Sequence, residues 1–119
     1  LNNCTKLDTL NVRGNSITQL DVSSCKGLRY LSCSFNKLSK LELNNPLLCT
    51  LDCSDNKISK LDVGNFKELK HLYCDGNNLL ELDISKCKEL RKLHCDDNLS
   101  ELDLSHNSKL EDLWIIQGI

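Results

Sequence analysis

The chain has 119 residues, with 15 basic and 17 acidic side chains and a formal net charge of -2. This balance provides no basic face of the kind that nucleic acids bind, so we expect no nucleic-acid partner. No apolar stretch approaches the roughly 20 residues that span a bilayer, so we expect no membrane insertion by this segment.

A short pattern of leucine, cysteine and asparagine recurs along the whole chain. One copy reads Leu31-Ser32-Cys33, followed by Asn36. The copies return every 20 or 21 residues, and their central leucines are Leu10, Leu31, Leu51, Leu72, Leu93 and Leu113. The asparagines that follow are Asn15, Asn36, Asn56, Asn77 and Asn98. Such a period predicts a solenoid, because one short unit buries its leucines only by stacking on others.

Each copy predicts one short β-strand and one sharp bend. The alternation in Leu72-Tyr73-Cys74 is the period-two pattern of a strand with one buried face. Strands of successive units are expected to pair in parallel, about 4.8 Å apart. At the bend, the asparagine amide can bond the main chain of the neighbouring coil. The repeated asparagines therefore predict a buried ladder, in which we include Asn98.

The segments that return to the next strand are too short for a full α-helix, so we expect tight turns or a single 3-10 turn. Three serines are predicted to cap these turns by accepting a backbone N–H, and they are Ser23, Ser85 and Ser105. An acidic column precedes them and is interpreted as a turn feature rather than a cation site. It comprises Asp21, Glu42, Asp62, Asp83 and Asp103.

Eight cysteines in so short a chain would suggest a disulfide scaffold. Seven of them fall into two repeat columns, however, which are Cys33, Cys53, Cys74 and Cys95, and Cys4, Cys25 and Cys87. Successive cysteines of the first column would be about 4.8 Å apart, too spread for one zinc ion and awkward for disulfides. We therefore expect buried, reduced thiols that act as small apolar side chains, with no metal and no cofactor.

The pattern LxxLx(C/V)xxNx(L/I) resembles the leucine-rich repeat over essentially the whole chain. The short unit and its LDxS return segment are most similar to repeats of bacterial surface and secreted proteins of the internalin kind. The resemblance implies an α/β-class, right-handed solenoid with a parallel sheet on its concave face and 3-10 or turn returns on its convex face. Residues 1–119 are interpreted as one leucine-rich-repeat domain of about six coils, a fragment of a longer chain. Cysteine at the third apolar position, where leucine is usual, departs from the family pattern.

Both ends lack a recognisable flanking cap. Leu1 is in phase with the end of a unit, and Gly118 stands where an asparagine would fall. The run Trp114-Ile115-Ile116 is unusually apolar. Because solenoids need polar end caps, we expect further protein on at least one side, or a partner over one end.

The side chains between the buried ones are expected to point outward from the concave face. Tyr73, His94 and Trp114 would lie on three consecutive rungs. The candidate ligand-binding residues of this face are Tyr30, His71, Tyr73, His94, Trp114, Asp75, Asp96 and Asp97. Exposed rings flanked by polar groups suit a recognition surface, although β-propensity alone also favours Tyr and Trp in strands.

The resemblance implies non-enzymatic recognition of a protein or peptide through the concave face. The alternatives are a glycan-binding surface and a structural spacer within a larger bacterial surface protein. An enzyme is not expected, because an open face excludes no water and no catalytic motif occurs. The resemblance also implies an extracellular or cell-surface location, whereas unpaired cysteines fit a reducing cytoplasm better.

Overall fold

Six short strands form one parallel sheet in the computed structural model, which describes residues 4–116. They are β1 (Thr9–Asn11), β2 (Tyr30–Ser32), β3 (Thr50–Asp52), β4 (His71–Tyr73), β5 (Lys92–Asp96) and β6 (Asp112–Ile116). Their order in the sheet follows the chain, and each strand pairs in parallel with the next. The predicted solenoid is confirmed, and its crossovers have the right-handed sense of parallel strand connections. Leu1 and Gly118, on which the expectations about the chain ends depend, lie outside the described residues.

The repeat leucines and cysteines form one continuous core. Leu31, Leu51, Leu72 and Leu93 pair rung by rung along the sheet and are fully buried. The cysteines between strand and bend are equally buried, which confirms that cysteine fills an apolar position. Each buried leucine contributes about 1.5–3 kcal/mol, and most of its burial comes from neighbouring coils.

Buried asparagine side chains tie each coil to the one before it. The amide of Asn56 donates to the carbonyl oxygens of Cys33 at 3.0 Å and of Cys53 at 3.1 Å, and its oxygen accepts the Leu38 N–H at 3.0 Å. Asn36 and Asn77 make the equivalent bonds in their own coils. The predicted asparagine ladder is therefore confirmed for the middle coils.

The prediction that Asn98 belongs to this ladder is wrong. Asn98 is exposed, and Asp96, only 7% exposed, takes its place. The Asp96 carboxylate accepts the backbone N–H groups of Gly76 at 2.9 Å and Asn77 at 3.0 Å. The reason is that this unit is one residue shorter, so that β5 continues through Asp96. In the other units the residue before the asparagine has a positive, left-handed φ, and the chain turns here without such a residue.

That left-handed residue sits immediately before the ladder asparagine. Its φ is 72° at Gly14, 54° at Phe35, 55° at Asp55 and 71° at Gly76. The conformation costs a residue with a Cβ about 1–2 kcal/mol, which the ladder bonds offset. At Gly76 a Cβ would also stand 2.4 Å from the Asp55 carboxylate oxygen, so only glycine fits without rearrangement.

Four of the five returns between the described strands pass through two successive turns rather than a continuous 3-10 helix, whereas the shortened return before β3 has one turn, in which Leu48 N–H donates to Asn45 O at 3.1 Å. In one return, Cys25 N–H donates to Val22 O at 2.9 Å and Leu28 N–H donates to Cys25 O at 3.1 Å. The prediction that serines cap these turns is wrong. The caps are the acidic residues, which accept the N–H two residues later, and they are Asp21, Asp62, Asp83 and Asp103. The interpretation of the acidic column as a turn feature is confirmed for these four of its five members.

The second cysteine column holds two buried asparagines that the sequence analysis overlooked. Asn45 and Asn107 stand where other units have cysteine. Asn45 donates to the carbonyl oxygens of Val22 at 3.1 Å and Cys25 at 2.8 Å. Asn107 makes the equivalent bonds further along the chain, to the carbonyl oxygens of Ile84 and Cys87, both at 2.9 Å. The same column holds Phe66, whose ring is fully buried, so it accepts apolar side chains of different size as well as an amide that bonds the preceding turn.

Candidate functional site: the concave face

Two columns of side chains point outward along the sheet. The first column consists of Thr9, Tyr30, Thr50, His71, Lys92 and Asp112. The second consists of Asn11, Ser32, Asp52, Tyr73, His94 and Trp114. We call the surface formed by these columns and the residues just after the strands the concave face. Because it rests on rigidly paired backbone, its side chains have fixed neighbours.

Four rings form a continuous row across β4, β5 and β6. The His71 and Tyr73 ring centroids are 6.5 Å apart, and Tyr73 meets His94 edge-on at 4.7 Å. His94 stacks on Trp114 at 5.1 Å with an interplanar angle of 21°. We call His71, Tyr73, His94 and Trp114 the ring row. The expected placement of Tyr73, His94 and Trp114 on three consecutive rungs is confirmed, with one edge-on and one stacked contact.

The ring row is rigid at one end and open at the other. Thr50 Oγ1 lies 3.2 Å from His71 Nδ1, which fixes the His71 ring against β3. His71, Tyr73 and His94 are half-buried, whereas Trp114 is 58% exposed. Aromatic contacts of this kind are worth about 0.5–1.5 kcal/mol each. The row thus presents a preorganised apolar surface that ends in an exposed indole.

Positive charge borders the row where the strands begin. Burial and the positive charges of Lys92, Lys70 and Arg91 together lower the pKa of His71 below its usual value. Lys70 and Lys92 are exposed, and Arg91 bonds Glu111 at 3.1 Å. This side of the face therefore has a positive potential at neutral pH.

Negative charge borders the row where the strands end. Burial raises the pKa of Asp75, and the negative charges of Asp55 and Asp96 raise it further. Asp55 has a raised pKa from burial and from the charges of Asp52 and Asp96. These shifts indicate that the carboxylates repel one another. The positive charge of Arg13 acts in the opposite direction and lowers the pKa of Asp55.

The structure brings most of the predicted site residues together but not all of them. Asp75 lies beside the ring row, since the charge of His94 acts on its pKa, and Asp97 is exposed after β5. Tyr30 is on the same face but is separated from the row by β3. Asp96 was predicted to point outward, and this placement is wrong, because its carboxylate is buried and bonded to the main chain.

Phe35 is an exposed aromatic residue that the sequence analysis did not select. Its ring is 51% exposed, and the guanidinium carbon of Arg13 lies 4.7 Å from the ring centroid. Its φ of 54° is costly for a bulky side chain. The repeat position of Phe35 could have indicated this residue in the sequence. The equivalent residues Gly14, Asp55 and Gly76 adopt a positive φ more readily than a bulky aromatic residue does.

The cysteine column lies behind the face and is chemically protected. Burial raises the pKa of Cys33 to about 12 and of Cys95 to about 11, and places those of Cys53 and Cys74 well above the usual value. The thiolate is the reactive form, so these thiols are poor nucleophiles at neutral pH. Among residues 4–116, no three His, Cys, Asp or Glu side chains are arranged to hold a metal ion, and no helix could cross a membrane.

Comparison with known proteins identifies the family. The leucine-rich-repeat family model matches residues 6–28. The functional domain of InlJ from Listeria monocytogenes, which includes a cysteine ladder, superimposes with a TM-score of 0.91 at 43% identity over 93% of this chain. The chain is a leucine-rich-repeat protein of the internalin-like type. It spans 25% of the InlJ chain.

Two further structures share the leucine-rich-repeat fold. A leucine-rich-repeat protein from Leptospira interrogans has a TM-score of 0.64 at 24% identity, over 89% of this chain and 36% of its own. An internalin (InlF) from Listeria monocytogenes has a TM-score of 0.57 at 18% identity, over 92% of this chain and 48% of its own. At these identities the likeness supports the fold alone. No curated protein sequence gave a significant match.

Proposed function

We propose that this leucine-rich-repeat protein is a non-enzymatic recognition module that binds a protein or peptide through its concave face. The observation that carries the proposal is the ring row, a preorganised apolar surface flanked by charges on an otherwise polar face. Aromatic residues that are already ordered lose little conformational entropy on binding, and they dominate the energetics of many interfaces. Trp114 is the principal anchor, and Tyr73 and His94 support it.

The geometry favours a protein partner over a glycan. A sugar ring needs an open aromatic face, and His94 already covers one face of Trp114 while Tyr73 meets His94 edge-on. The exposed side of Trp114 is thus a single platform, whereas a peptide can contact the whole row. A soluble oligosaccharide is therefore expected to leave the melting temperature unchanged. A concentration-dependent rise in melting temperature that is lost in Trp114→Ser would support the glycan alternative instead.

Peptide display tests the proposed site directly. A library of random peptides of about ten residues, long enough to cross the ring row, is selected on the protein. Enriched peptides are expected to bind the double variant Tyr73→Ser/Trp114→Ser about thirtyfold more weakly, because it loses two anchors at about 1 kcal/mol or more each. The matched control is Leu80→Ser, which removes an exposed apolar side chain away from the sheet and should leave binding unchanged.

Two outcomes contradict the proposal. If no peptide is enriched above the unselected library, a spacer role becomes the better description. If enriched peptides bind the double variant as tightly as the unaltered protein, the binding site is not the ring row. Circular dichroism and urea unfolding of each variant show that a loss of binding does not come from a loss of folding.

We infer a bacterial surface or secreted location from the likeness to internalins, with residues 1–119 as one domain of a longer protein. The buried thiols remove the objection that eight cysteines raise, because a thiol held as the neutral form inside a core is slow to oxidise. Brief protease treatment of intact cells of the source organism tests this location. Loss of the protein from intact cells supports it, and survival until lysis contradicts it.

A further inference from the structure

The concave face has opposite charges on its two sides. Lys70 immediately precedes β4 and Lys92 begins β5, whereas Asp75 and Asp97 follow the ends of these strands, with the ring row between. Burial is the main cause of the lowered pKa of His71 and of the raised pKa of Tyr73, whose ring centroids are 6.5 Å apart. The positive charges of Lys92 and Lys70 add to the first shift, and the negative charges of Asp52 and Asp112 add to the second. A change of sign over so short a distance selects partners by charge order as well as by apolar surface.

We propose that the partner segment is an extended peptide that lies along the ring row, with basic side chains over Asp55 and Asp75 and acidic side chains toward Lys70 and Lys92. This inference rests on the proposed function, and it names the chemistry of the partner at the same site. It is a statement about charge order, so peptides with the same composition in a different order should bind less well.

The dimensions of the face suit an extended peptide. From β3 to β6 three rung spacings of about 4.8 Å give a track of about 14 Å, which four or five extended residues cross. Successive side chains of an extended chain point to opposite sides. A chain lying on the ring row therefore directs alternate side chains to the carboxylate side and to the lysine side.

The carboxylate side is arranged to gain from a cation. Asp55 and Asp75 repel each other and Asp96, and both are partly removed from water, so their charged forms are disfavoured in the unbound protein. An ammonium or guanidinium group placed between them relieves that repulsion, and partial burial strengthens the attraction beyond that of a fully exposed pair. Asp96 itself is committed to the backbone of Gly76 and Asn77.

The lysine side is confined to two strands, which limits how the peptide can be placed. On β6 the equivalent positions are Glu111 and Asp112, and Glu111 already bonds Arg91. An acidic side chain of the partner is therefore expected opposite β4 and β5, whereas the peptide end near Trp114 should be apolar. The predicted pattern is alternating basic and acidic residues leading to one large apolar residue.

Sequencing the pool selected in the display experiment tests the inference. We expect Lys or Arg to alternate with Asp or Glu, next to an aromatic or large aliphatic residue. The double variant Asp55→Asn/Asp75→Asn keeps the side-chain shapes, and asparagine tolerates the left-handed backbone at position 55. It should bind the enriched peptides about fivefold or more weakly, because two ion pairs are lost.

A matched control and a charge reversal complete the design. Glu42→Gln/Glu68→Gln removes two exposed carboxylates outside the concave face and should not change the affinity. Selection on Lys70→Glu/Lys92→Glu should give a pool that lacks the acidic preference and keeps the basic one. Raising the salt concentration to about 0.5 M should weaken binding to the unaltered protein more than to the Asp55→Asn/Asp75→Asn variant.

The outcomes separate this inference from the function on which it rests. Enriched peptides that depend on Tyr73 and Trp114 but show no charge alternation overturn the inference and leave the proposed function standing. The same holds if Asp55→Asn/Asp75→Asn binds them as tightly as the unaltered protein does. If no peptide is enriched, the result contradicts the proposed function and therefore also the inference about charge order.

Discussion

The Asp96 carboxylate accepts the backbone N–H of Asn77 at 3.0 Å. Asn77 in turn uses its side-chain oxygen to accept the Ile58 N–H at 3.0 Å. The ladder formed by Asn36, Asn56 and Asn77 therefore ends with the Asp96 carboxylate. Unlike an amide, a carboxylate cannot donate, so this side chain bonds the fourth coil only as an acceptor.

The asparagine ladder provides the sharpest test of stability. Asn56→Ala should reduce the free energy of unfolding by about 2–4 kcal/mol, because it leaves the Leu38 N–H and buried carbonyl groups without partners. Asn98→Ala is the matched control, since the same repeat position is exposed there, and it should cost no more than about 0.5 kcal/mol. Urea unfolding measures both. Equal losses would show that the ladder extends to Asn98 after all.

The two left-handed glycines separate backbone strain from crowding. Gly14→Ala should cost about 1 kcal/mol, because φ is 72° but a Cβ there meets nothing within 4 Å. Gly76→Ala should cost about 1–3 kcal/mol more, because the new Cβ displaces the Asp55 carboxylate. Most of the extra loss should disappear in an Asp55→Gly background, measured as a double-mutant cycle, because only the contact with the Asp55 backbone N at 3.0 Å remains. An unchanged loss in that background would contradict the crowding explanation.

Asp75 makes the stability depend on pH in a predictable direction. Burial and neighbouring carboxylates raise its folded-state pKa above 3.8, so its charge opposes folding at neutral pH. Asp75→Asn should therefore stabilise the protein by about 0.5 kcal/mol at pH 7. The gain should shrink as the pH falls through the raised pKa and vanish below 3.8, where both states are protonated. A gain that persists at pH 3 would indicate another cause.

Thiol labelling tests the interpretation of the cysteines. In the native protein, iodoacetamide should modify half-buried Cys49 before any cysteine of the buried column, because burial holds those thiols neutral. Under denaturing, non-reducing conditions, mass spectrometry should count all eight cysteines as alkylated. A lower count would mean that disulfides connect some of them.

Phe35 carries a conformational cost that a smaller residue would avoid. Phe35→Asn should raise the free energy of unfolding by about 0.5–1 kcal/mol, because asparagine adopts a φ of 54° more readily and the ring is 51% exposed. Thermal unfolding at two salt concentrations measures the gain. A loss of stability instead would show that the contact between Arg13 and the ring outweighs the strain.

The sequence by itself determined the solenoid, its register and the residues of the ring row. A strict repeat fixes which side chains are buried, because every unit must bury its leucines against the next. Tyr73, His94 and Trp114 could be placed on consecutive rungs for the same reason, and they are found there.

Only the tertiary structure decided the exceptions and the electrostatics. Asp96 replaces Asn98 because the shortened unit extends β5, and this exchange depends on backbone N–H groups of the preceding coil. The opposed pKa shifts of His71 and Asp75 likewise depend on charges from other coils. A repeat pattern specifies the structure that the units share. Where a unit departs from the pattern, its hydrogen bonds and charges depend on the groups that the fold places next to it.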